Sequence, residues 1–79
     1  MRIILFAGSY DQAKIYADKM QIAKPYWMYI SHDFFQGLEG IRNCVVMKCG
    51  SWKQRRDRRR MLDELKAREC LIINLPDRW

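Results

Sequence analysis

No apolar run in the sequence approaches the ~20 residues needed to span a bilayer, so no transmembrane helix and no membrane partner are expected. There is one histidine, His32, and no Cys-x-x-Cys pair among Cys44, Cys49 and Cys70. Zinc sites draw on such pairs and on clustered histidines, so no metal is expected. Three cysteines are also an odd count without the spacing of a disulfide scaffold. Two of them sit in apolar, strand-like runs, where a thiol behaves as a small hydrophobe. A reducing, cytoplasmic compartment fits. Repeats, linkers and low-complexity segments are absent, so residues 1–79 are read as a single domain. The opening Ile3-Ile4-Leu5-Phe6-Ala7 is shorter than the ~7–15 residues of a signal-peptide core. Gly8-Ser9-Tyr10-Asp11 follows at once, and a first β-strand is the better reading.

What is present reads as a small folded globule. A chain of this length buries only about 60–65% of its unfolded surface. Arg2 to Ala7 is a continuous apolar run closed by Gly8, as expected of a strand buried on both faces. Ser9 and Gln12 form a capping-box pattern at the start of a helix. Ala13, Tyr16, Ala17 and Met20 share one face of that helix, and Pro25 is expected to end it. Tyr26–Ile30 is aromatic and β-favouring, a second strand. Trp27 and Tyr29 fall on one of its faces and Tyr26, Met28 and Ile30 on the other, as core residues together with Phe34 and Phe35. A short helical turn is expected from Ser31-His32-Asp33 through Leu38, bracketed by Gly37 and Gly40. Cys44–Cys49 is a third strand stopped by Gly50. Ser51 is expected to cap a second long helix from about Trp52 to Glu69, and Cys70–Leu75 is a fourth strand. This β-α-β-α-β-α-β alternation predicts an α/β, Rossmann-like fold with a small, four-stranded, mostly parallel sheet. The strand order 2-1-3-4 is favoured over 2-3-1-4. Either order leaves two sheet edges open on a very small domain, so a homodimer is an expectation.

Charge is the most informative bulk property. The net charge is +6, and Lys53–Arg60 alone holds six basic residues and one acid. The remainder is nearly balanced, with nine basic and eight acidic residues. In a continuous helix Lys53 and Arg55 would oppose the macrodipole by about 0.3–1 kcal/mol each. Arg55–Arg59 and Arg56–Arg60 would add like-charge costs of ~0.2–0.5 kcal/mol per pair. Arg59–Asp63 and Arg60–Glu64 would recover part of this. Met61, Leu62 and Leu65 occupy only the C-terminal half, so residues 53–60 have little core of their own. Phosphate, or an acidic protein surface, would relieve the repulsion. The expected contact set is Lys53, Arg55, Arg56, Arg58, Arg59 and Arg60, with Gly50 and Ser51 adding backbone and cap donors. Trp52 could stack on a base as in single-strand binders; ~80° from Leu62 around the helix, it could equally anchor the core. No RNP, KH-loop or zinc-finger spacing is present, so no sequence preference is legible.

In open parallel sheets ligands gather beyond the carboxyl ends of the strands. Three loops are expected there: Gly8-Ser9-Tyr10, Ser31-His32-Asp33 and Gly50-Ser51-Trp52. Two carry a Gly-Ser pair before a helix, a setting that suits an anion. His32 beside Asp33 reads as a turn with a surface imidazole rather than a base and its orienter.

Three resemblances bear on function. Gly8-Ser9-Tyr10-Asp11-Gln12-Ala13-Lys14 and Leu38–Met47 resemble a degenerate P-loop-like core. The phosphate-loop pattern G-x-x-x-x-G-K-[ST] is missing, however, and Lys48-Cys49 stands where those families place Asp-Glu. No cofactor is therefore expected. Cys49-Gly50-Ser51-Trp52-Lys53-Gln54-Arg55 resembles the C-x5-R loop of Cys-dependent phosphatases. That likeness implies Cys49 as nucleophile, Arg55 as phosphate clamp and Asp77 as general acid. Arg56 stands where Ser or Thr usually supports the thiolate, and Trp52 and Lys53 replace small loop residues, so a catalytic role is the third choice. Finally, the Trp27-Met28-Tyr29-Ile30-Ser31, Leu38–Asn43 and Gly50-Ser51-Trp52 pattern resembles small bacteriophage-encoded α/β proteins of unassigned function. It implies an accessory role in the host cytoplasm, directed at nucleic acid or at an acidic surface of a host protein. Together these readings favour a non-enzymatic module that contacts nucleic-acid phosphates through a basic helix.

Overall fold

A computed structural model describes residues 3–32 and 35–75. Strands β1 (Ile3–Phe6), β2 (Trp27–Tyr29), β3 (Val45–Lys48) and β4 (Leu71–Asn74) form one sheet in the order β2-β1-β3-β4. Every neighbouring pair is parallel, with Ile3 opposite Trp27 and Val45, and Val45 opposite Leu71. Helix α1 (Tyr10–Lys19) follows β1 and α2 (Arg58–Ala67) precedes β4. Single 3-10 turns occupy Lys24–Tyr26, Phe35–Leu38 and Trp52–Gln54. The α/β class and the 2-1-3-4 order expected from the sequence are the ones observed. No helix among the described residues is long and apolar enough to cross a membrane.

Strand alternation divides the core into two layers. Ile4, Phe6 and Val46 face Ile30, Leu38, Met61 and Leu65 on the α2 side. Leu5, Ala7 and Cys49 face Ala13, Tyr16 and Ala17 of α1 on the other. Burial on both faces is what turns these strands into unbroken apolar runs. Cys44 and Cys70 belong to the first layer and all three thiols are buried and free.

Both helices end on a left-handed residue that is not glycine. Gln21 lies at φ 58° and Glu69 at φ 62°. In α1 the Ile22 N–H reaches Ala17 O at 2.9 Å and the Gln21 N–H reaches Asp18 O at 3.1 Å. In α2 Cys70 and Glu69 make the same pair of contacts to Leu65 and Lys66, at 3.2 and 3.1 Å. These are Schellman motifs, which satisfy the last helical carbonyls. They stop α1 at Lys19, before Pro25, which instead opens the 3-10 turn Lys24–Tyr26. Tyr26 consequently stays outside β2 and is 64% exposed, contrary to its expected core place. Trp27 is buried and Tyr29 packs on the same layer, while Met28 and Ile30 join the other, as alternation requires. Phe34 and Asp33 lie outside the described residues.

The second helix differs most from expectation. It does not run from Trp52: a 3-10 turn ends at Gln54, Arg55 is extended (φ −72°, ψ 132°), and α2 begins at Arg58. The expected Arg55–Arg59 and Arg56–Arg60 helical pairs do not form, because both first members precede the helix. The reason for the break is the fate of the Arg55 side chain.

Candidate functional site

The order β2-β1-β3-β4 makes β1 the point where the chain turns first to one side and then to the other. The crevice between the carboxyl ends of β1 and β3 is where such sheets place ligands. Here this chain's own side chains fill it.

Gln12 closes the crevice from α1. Its Oε1 accepts from the Gly8 N–H at 3.0 Å, the Ser51 N–H at 3.0 Å and the Ser51 hydroxyl at 3.0 Å. The Ser9 hydroxyl accepts from the Gln12 N–H at 3.3 Å, half of the expected capping box. The Gln12 side chain, rather than turning back on Ser9, ties the loop after β1 to the loop after β3. Both glycines are needed for that approach. A Cβ on Gly8 would collide with Ser51 Oγ, and one on Gly50, at φ 60°, would collide with Gln12 Oε1. Ser51 makes no side-chain cap to the turn it precedes. The expected donors of Gly8 and Ser51 are thus spent on an internal amide oxygen, and Gly50 serves geometry. Ser51, whose N–H and hydroxyl are both engaged, therefore leaves the set of phosphate contacts.

The third loop joins through His32, whose Nε2 lies 2.8 Å from Gly8 O. A carbonyl only accepts, so Nε2 carries the proton in that contact. The ring is exposed, as expected of a turn imidazole.

Arg55 corrects the largest expectation. It is fully buried, at 0% exposure, and does not face a ligand. Its Nε and Nη2 donate to Asp57 Oδ1 and Oδ2, each at 2.9 Å, and Nη1 donates to Ala7 O at 3.1 Å. The guanidinium lies 4.3 Å from the Phe6 ring centroid and 5.7 Å from that of Tyr29. Planarity, a fixed fork of donors and weak hydration suit arginine to such a buried, bidentate, stacked site. Reaching it requires the extended backbone at Arg55, and this interrupts the helix. Asp57, the one acid of the basic run, is buried with it at 4% exposure.

Internal pairing of Arg55 with Asp57 leaves Lys53, Arg56, Arg58, Arg59 and Arg60 exposed on the corner between the 3-10 turn and α2. Arg58 Nη1 donates to Arg55 O at 2.9 Å, which holds that side chain against the corner. Arg58, Arg59 and Arg60 open α2, against its dipole. Glu64 pairs with the half-buried Arg68 at 3.9 Å, a long, partly exposed contact of little energetic weight.

Trp52 stands at the head of this corner and is half-buried, packed on the α2-side core. Phe6 backs it at 6.3 Å between centroids. The Lys48 ammonium lies 4.5 Å from its ring centroid and that of Lys53 5.9 Å. Lys48 was not among the expected site residues. Its signal was a lone cation in the apolar run Cys44–Cys49, placed by alternation on the face that Trp52 covers.

The phosphatase-like reading fails on geometry. Cys49 is buried among Leu5, Ala7 and Tyr16, on the sheet face opposite Trp52. Burial pushes its thiol up to about 11, whereas a nucleophilic cysteine needs a lowered value. The Arg55 that would clamp phosphate is occupied by Asp57 and Ala7. Asp77 lies outside the described residues. No family model, curated protein or solved structure matches the chain.

Proposed function

We propose that the protein is a non-enzymatic module that contacts nucleic-acid phosphates through the corner formed by Lys53, Arg56, Arg58, Arg59 and Arg60. The observation that carries this reading is the internal neutralisation of Arg55 by Asp57. It removes the run's only acid from the surface and leaves five exposed cations, three of them in the first turn of a helix whose dipole they oppose. Cations so arranged weaken the fold, and a polyanion laid across them reverses that sign. Arg55 and Ser51 shape the corner and do not touch the ligand.

The test is binding of labelled oligonucleotides over a salt series, by wild type and by a Lys53/Arg56/Arg59→Ala variant whose fold is checked by circular dichroism. Five phosphate contacts correspond to a log–log salt slope near about −3.5 on single strands and about −4.5 on duplex. The triple variant is expected to lose affinity and to flatten the slope by about 2–3. Absence of binding by wild type at low salt would reject the reading and leave an acidic protein surface as the remaining partner for the corner.

A further inference from the structure

We infer that the preferred ligand of this corner is single-stranded nucleic acid, with Trp52 as the platform on which a base stacks. The inference rests on the phosphate-binding reading above and adds the substrate class to it.

Sequence-independent single-strand binders combine a cationic track for the backbone with an aromatic face for the bases. Both parts meet at this corner. Trp52 immediately precedes Lys53 and shares a 3-10 turn with it. Its ring is held by the core through Phe6, at 6.3 Å and an interplanar angle of 53°, so stacking on it requires no ordering of a loose side chain. The Lys48 ammonium, 4.5 Å from the ring centroid, occupies the face that a base would take. A lysine there can be displaced, because its charge gains more from a phosphate than from a ring quadrupole. As a base stacks, Lys48 moves aside to the adjoining phosphate, and Lys53, 5.9 Å from the same centroid, meets the next one. Duplex DNA offers the phosphates but keeps its bases in the stack, so it engages the cations and leaves Trp52 unused. The exposed Tyr26 precedes β2, at the opposite, amino edge of the sheet from Trp52, and belongs to no such track.

The experiment compares an oligothymidylate of about 12 nucleotides, within the span of single-strand sites, with a duplex of equal length at one salt concentration. Wild type is expected to prefer the single strand. Trp52→Leu is expected to weaken single-strand binding about 5- to 150-fold, the range measured for loss of one stacked base. Trp52→Phe keeps a π face and most of the affinity. Duplex affinity and the single-strand salt slope should hold in both variants, and Tyr26→Ala should bind as wild type. In wild-type protein, irradiated bromouracil-substituted oligonucleotide should crosslink at Trp52, a readout that needs no variant to fold. Equal wild-type affinity for both ligands, or a crosslink only at another residue, would overturn the stacking inference and leave the phosphate reading standing. Binding to neither ligand would reject both.

Discussion

The amide oxygen of Gln12 lies 3.0 Å from both the backbone nitrogen and the hydroxyl of Ser51, 39 positions further along the chain. With the Gly8 N–H as a third donor, this one atom joins the loops that follow β1 and β3. Gln12→Ala strands two part-buried backbone donors, each worth about 1–3 kcal/mol when unsatisfied. The expected outcome, read by thermal melting, is a lower melting temperature together with weaker oligonucleotide binding, because the Ser51 that Gln12 holds immediately precedes the Trp52–Gln54 turn at the cationic corner.

Arg55 and Asp57 form a charge pair inside the protein, with side-chain exposures of 0% and 1%. Breaking such a pair from one side costs about 3–5 kcal/mol, because the other charge stays buried without compensation. Arg55→Met should therefore unfold at much lower urea concentration than wild type. Arg55→Met with Asp57→Leu should recover most of the loss, since apolar replacement of a whole buried pair is often near neutral. Equal destabilisation by the single and double variants would show that the Ala7 and Phe6 contacts, rather than the ion pair, hold the corner.

The parallel sheet was legible because strands covered on both faces are written as apolar runs, here closed by Gly8 and Gly50. The observed strands fall within the expected spans, each trimmed at its ends. The face of α1 was legible too, from Ala13, Tyr16, Ala17 and Met20. The site was legible only in part. Arginine is rarely buried, and the contacts that draw Arg55 inward come from Ala7 and Phe6, nearly fifty residues away in sequence. Periodicity over residues 52–69 does not register contacts so distant, and by it the 3-10 turn and α2 read as one helix. Gln12 reads as a local cap because its pattern with Ser9 is local, whereas its oxygen acts across the crevice. Gln21 and Glu69 end helices in the conformation that usually signals itself through glycine.

Cys49 supplies a pH test of burial. Its thiol is raised from an ordinary value near 9.0 to about 11 by desolvation. A raised thiol value means that the folded state holds its proton longer than the unfolded chain. The associated stability is complete below pH 9.0 and is lost as pH climbs towards 11. Native protein at pH 8 should accordingly resist iodoacetamide at Cys49, with rapid labelling after denaturation, mapped by mass spectrometry. Cys49→Ser should not alter oligonucleotide binding, and the wild type should not turn over an aryl phosphate. Rapid native labelling at Cys49 would contradict the burial on which the rejection of thiol chemistry rests.

Arg59 is where binding and stability oppose one another. It is exposed, the second residue of α2, and points positive charge at the positive end of the helix dipole. Arg59→Glu replaces that repulsion with attraction, each sign worth about 0.3–1 kcal/mol at low ionic strength. A gain of about 1 kcal/mol corresponds to roughly 4–8 °C in a domain of this size. The melting temperature is thus expected to rise in low salt, and the gain to shrink as salt screens the dipole. Oligonucleotide affinity should fall in the same variant, because a cation is lost and an anion faces the phosphate track. A variant that is both more stable and a poorer binder would show that the cations at the start of α2 are held against the interest of the fold. Loss of stability in Arg59→Glu would mean that Arg59 supports the corner structurally and is not held there against the helix dipole.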